Sequence, residues 1–90
     1  MTPGLKLNPR VRIAPTEYGA AVLGPSGSYF RLNRTAAIVI TAMLGGQDAD
    51  GVVERLEQEF AETAPPRTQL SADVAVIVQS LVNNRILVRA

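Results

Sequence analysis

Ser28-Tyr29-Phe30-Arg31-Leu32-Asn33 is the stretch that decides the fold, because a short strand-forming run stops at a cap residue and passes straight into an aliphatic helix. Asn33 is placed to accept a bond from an early helix amide, and Thr35 falls in the first turn. Residues 36–44 are almost purely aliphatic, and Gly45-Gly46 ends them where a left-handed residue is wanted.

Working back toward the start, residues 20–23 (AAVL) and 10–14 (RVRIA) are two further extended runs, set apart by Pro15, Gly19, Gly24, Pro25 and Gly27. Pro25-Ser26-Gly27 between two such runs reads as a hairpin turn. Strands over about 10–14, 20–23 and 28–32 are therefore expected to form a three-stranded antiparallel sheet. Alternation along the third strand puts Phe30 and Leu32 on the core side and Tyr29 and Arg31 on the other. A three-stranded sheet has two edges, and the third strand carries no proline and only one charge, Arg31. If it lies at an edge it is weakly protected, so either a loop or second copy covers it or an extended peptide adds there.

Working forward, the first helix spans about 34–44. Asp48 caps a second over about 49–60, whose Val53, Leu56 and Phe60 share one face. Pro65-Pro66 marks a connection, and Leu70, Val74, Ile77 and Leu81 stripe a third helix over about 69–83. Val76 is out of place, beside Asp73 and Ser80 on a flank where a surface helix carries polar residues. It is either an isolated exposed valine, which is common, or the rim of a binding surface. Ile86-Leu87-Val88 forms a short extended tail that closes the core.

Composition removes whole classes of function. The 90 residues make one domain, with residues 1–10, containing Pro3, Gly4 and Pro9, as a flexible start and residues 11–90 as the folded unit. With no cysteine and no histidine, thiol nucleophiles, thiolate metal sites and the commonest general base are all missing. No Gly-rich phosphate loop or paired-carboxylate motif takes their place, so no cofactor, metal or catalytic residue is expected and the chain is read as a non-enzyme. No signal-peptide core or membrane-length segment is visible, which predicts a cytoplasmic protein with no membrane partner. A net charge of +1 with scattered basic residues argues against nucleic acid as a partner.

The order of these elements, the segment Gly27-Ser28-Tyr29-Phe30-Arg31-Leu32-Asn33-Arg34-Thr35-Ala36 and the late Asp73-Val74, Leu81 and Ile86-Leu87 together resemble the PqqD-like proteins. These are the recognition elements of ribosomally made, modified peptides (RiPPs). The chain is most similar to their stand-alone form, the leader-peptide-binding protein of lasso-peptide biosynthesis. The resemblance implies an α+β, winged-helix-like domain whose third strand pairs with the leader of a precursor peptide by β-augmentation, while the third helix walls a groove. Carried over by position, Ser28, Tyr29, Phe30, Arg31 and Leu32 supply backbone rungs, and Asp73, Val76, Ile77 and Ser80 line the helix side. The implied partners are the precursor leader, whose tyrosine and proline act as anchors, a separate cysteine-protease leader peptidase, and the cyclase. Arg31 or Asp73 adds a charge contact, or each is only a solvated surface charge. Many relatives have a glycine before the final aliphatic pair. Here Asn83-Asn84-Arg85 stands there, and since asparagine tolerates the left-handed conformation better than most residues, the same turn is still open to the chain.

The alternative is a winged-helix DNA-binding regulator reading DNA with the third helix. That helix offers no lysine or arginine between Thr68 and Asn84, and presents Ala75 and Val76 where phosphate and base contacts belong.

Overall fold

The computed structural model describes residues 4–89. Its elements run β1 (Leu5–Leu7), β2 (Arg12–Thr16), β3 (Gly19–Leu23), β4 (Tyr29–Asn33), α1 (Arg34–Leu44), α2 (Ala49–Phe60), a 3-10 turn (Ala61–Thr63), α3 (Arg67–Asn83) and β5 (Leu87–Arg89). Strands β2, β3 and β4 form an antiparallel sheet in that order, followed by the three helices, so the expected α+β architecture holds.

The first strand differs from expectation. It lies at residues 12–16 rather than 10–14 and runs through Pro15, which the sequence suggested as a break. A proline interrupts a central strand but is tolerated at an edge, where its missing N–H has no ladder partner to disappoint. The turn to β3 is thereby only Glu17-Tyr18, and Gly19 follows with φ 154. A side chain at Gly19 would collide with the Leu32 carbonyl of β4, so only glycine lets the two strands approach there. The second turn, at Pro25-Ser26-Gly27, is closed by the Gly24 N–H donating to the Ser28 carbonyl at 2.6 Å.

The start expected to be flexible is paired where it is described. Residues 1–3 lie outside the described residues, but Leu5–Leu7 pair antiparallel with Leu87–Arg89, in the register Lys6 opposite Val88. The Asn8 amide donates to the Ile86 carbonyl and its side chain to the Arg85 carbonyl, both at 2.9 Å, which extends this ribbon by one residue. The left-handed residue before the final strand is Arg85, at φ 59, not an asparagine. Asn84 instead stays near the helical region and turns its side-chain amide back to the Ser80 carbonyl.

Two apolar clusters hold the elements together. Val39 and Ala42 of α1, Val52, Val53 and Leu56 of α2, and Leu70 and Val74 of α3 bury one another. Val22 of β3, Ile40 of α1, Leu81 of α3, Val11, Ile86 and Leu87 form the second, against which Phe30 and Leu32 of β4 pack. Met43 and Ile77 touch both. Each fully buried aliphatic side chain contributes about 1.5–3 kcal/mol. Among the described residues no helix is long and apolar enough to cross a membrane.

Candidate functional site

The register decides what the edge of β4 offers. In an antiparallel pair, opposed residues alternate between those that exchange backbone bonds and those that do not. The Gly24–Ser28 bond fixes the phase, so Val22–Phe30 and Ala20–Leu32 are bonded pairs, while Leu23–Tyr29, Ala21–Arg31 and Gly19–Asn33 are not. Phe30 and Leu32 therefore spend their amides and carbonyls on β3. Tyr29 and Arg31 turn theirs outward, where no strand of the described residues pairs with them. Asn33 faces outward too but is already committed as the cap of α1, its Oδ1 accepting the Ala36 N–H at 2.8 Å.

Side chains follow the same alternation. Phe30 and Leu32 point into the second cluster, which Ile77, Leu81 and Val82 of α3 also join, so β4 and α3 border one apolar cluster. Tyr29, 63% exposed, and Arg31 point to the opposite face of the sheet. There they border a hollow of about 350 Å³ with Ala21 and Tyr18. Ser28 lies in the turn, exposed, with its hydroxyl 3.3 Å from that of Ser26.

On α3, residues 73, 76, 77 and 80 follow one another at helical spacing along one strip. Asp73 and Ile77 are half-buried, whereas Ser80 and Val76, the latter 70% exposed, continue the strip into solvent. The valine that is out of place in the sequence is thus the exposed neighbour of Ile77, which joins the same apolar cluster as Phe30 and Leu32. At the N-terminal end of α3, Asp73 joins Thr35, Phe60, Thr63, Pro65 and Leu70 around a cavity of about 260 Å³. Arg34 fixes one wall of it, its guanidinium 5.5 Å from the centre of the Phe60 ring and 3.5 Å from Glu59.

This end cavity was not visible in the sequence, because Thr35, Phe60 and Pro65 come from separate elements and none is chemically unusual. The only basic residue of α3, Arg67, is paired with Glu57 at 2.6 Å, leaving the helix without a free cation for DNA.

Residues 7–87 match the model of the family described as coenzyme PQQ synthesis protein D (PqqD). The chain belongs to this family. Among solved structures, a lasso peptide synthetase B1 complexed with the leader peptide is 32% identical, with a TM-score of 0.82 over 94% of this chain and 98% of that one. TbiB1 in complex with the TbiA(beta) leader peptide shares the fold, with a TM-score of 0.79 at 19% identity over 91% of this chain and 93% of that one. No curated protein matches the sequence. The resemblance to PqqD-like recognition elements and to the stand-alone proteins of lasso-peptide biosynthesis is thereby established as kinship.

Proposed function

We propose that this protein captures the leader segment of a ribosomally made precursor peptide as an added strand on β4 and holds it for a separate leader peptidase and cyclase of a lasso-peptide pathway. The observation that carries the reading is the outward-turned backbone of Tyr29 and Arg31, on a strand whose Phe30 and Leu32 share an apolar cluster with Ile77 of α3, in a chain 32% identical to a synthetase B1 whose structure contains a leader peptide.

An antiparallel leader would exchange two bonds with Tyr29 and two with Arg31, so the five-residue run narrows to two bonding residues. Its alternate side chains would enter the groove between Phe30, Leu32 and Ile77, with Val76 and Ser80 at the rim. The strand direction sets the polarity. The N-terminal part of the leader lies by the cavity at Asp73, Thr35 and Phe60, which suits an anchoring tyrosine or proline, and the attached precursor leaves past the Pro25–Gly27 turn. Net backbone bonds of about 0.5–1.5 kcal/mol each cannot by themselves offset the ordering of a flexible peptide, so these anchors supply the selectivity.

The test is a titration of a labelled leader peptide carrying the tyrosine and proline anchors against the protein. Saturable 1:1 binding lost on replacing the leader's tyrosine and proline is expected. Absence of binding, or binding indifferent to both anchors, would refute the proposal.

A further inference from the structure

The sheet has a second edge, built from different chemistry. In β2 and β3 the same alternation makes Arg12–Leu23, Ala14–Ala21 and Thr16–Gly19 the bonded pairs, which turns the backbone of Ile13 and Pro15 outward. Pro15 has no N–H to offer and places its ring where an incoming strand would lie. Of the residues of β2, Ile13 alone turns a donor outward. No strand of the described residues lies beyond it, and every residue of β2 except Ile13 is exposed. Among the described residues no strand closes this edge, which is left to its own sequence.

We infer that Pro15 is the residue that confines strand addition to β4, so that the protein takes one peptide per chain and does not polymerise. Both edges belong to one sheet, and β4 presents the outward amides and carbonyls that an unguarded β2 would accept. The partner a second copy brings to an opened β2 is therefore its own β4. Because that contact uses different edges on the two copies, each association leaves one β2 and one β4 free, and growth is open-ended rather than closed into a pair. A charged Arg12 and an outward proline are the devices by which natural sheets blunt such edges.

The inference needs only an open β4 edge and is independent of what peptide binds there. Its test is sedimentation equilibrium over a wide concentration series, comparing the wild type with Pro15→Val and Pro15→Ala, with thermal melts to establish folding. Both variants are expected to fold and to self-associate about tenfold more tightly than the wild type, since a donor is regained and the ring is removed. The mass should rise without a plateau at two chains. Adding Arg31→Pro, which blunts the accepting edge, should return the mass to that of the wild type. Folded variants whose mass tracks the wild type, association that survives Arg31→Pro, or failure of both variants to fold would each overturn the inference. None of these outcomes involves a leader peptide, so they are separate from the fate of the proposed function.

Discussion

Proline substitution along β4 should produce an alternating pattern, because successive residues direct their amides to opposite sides. Arg31→Pro removes an amide that no strand among the described residues uses. The fold should tolerate it as it tolerates Pro15, with a melting temperature within about 4 °C of the wild type. Leader affinity should fall by at least the value of one net backbone bond, about 0.5–1.5 kcal/mol, or about two- to thirteenfold in Kd. Arg31→Ala is the control for the side chain, and the proline variant should bind more weakly than it does. Phe30→Pro instead breaks a bond to β3 and deletes a half-buried ring from the second cluster. One lost bond plus roughly half the 3–5 kcal/mol of a fully buried aromatic comes to about 3 kcal/mol. At about 4–8 °C per kcal/mol for a domain of this size, the melting temperature should drop by more than about 10 °C. Scanning calorimetry reads stability, and fluorescence anisotropy of a labelled leader reads affinity. If Arg31→Pro and Arg31→Ala bind equally, or if Phe30→Pro is as stable as Arg31→Pro, the assigned register or the strand-addition model is wrong.

Three further outcomes are expected. Gly19→Ala should cost at least about 2 kcal/mol in urea denaturation, from backbone strain together with the collision at the Leu32 carbonyl, and an unchanged midpoint would contradict the close approach of β3 and β4. Val76→Asp should alter stability by no more than about 0.5 kcal/mol, since the side chain is 70% exposed, while weakening leader binding about tenfold; equal affinity would remove this rim of α3 from the groove. Deleting residues 1–7 should destabilise the protein by about 2 kcal/mol through loss of half-buried Leu5 and Leu7, and should speed amide exchange at Val88, whose partner across the ribbon is Lys6. Unchanged exchange at Val88 would show that the terminal ribbon does not form in solution.

The helical half of the fold was legible because its signals are local. Asn33 and Asp48 cap their helices as their sequence positions suggest, with bonds of 2.8 and 2.9 Å to Ala36 and Gly51. Pro15 misled because a residue that breaks most strands is harmless, and useful, at an edge, and edge position is a property of the whole sheet. The β1–β5 ribbon escaped notice because Leu5–Leu7 is short, lies between Gly4 and Pro9, and pairs with residues at the far end of the chain. At the candidate site, alternation separated Phe30 and Leu32 from Tyr29 and Arg31, and the misfit of Val76 was visible on a helical projection. Which residues of β4 face outward depends on the phase of the hairpin bonds, set by the Gly24–Ser28 contact, and no residue type announces that phase.

The β1–β5 ribbon has an architectural consequence. Leu5 lies opposite Arg89, so the chain enters and leaves the domain side by side while the β4 edge is built elsewhere, from the middle of the sequence. A domain with adjoining ends can be spliced into a surface loop of a larger protein, or fused at either end, without stretching its sheet. The fold is thus portable: the β4 edge keeps its geometry whether the domain stands by itself or is joined to another through its adjoining ends.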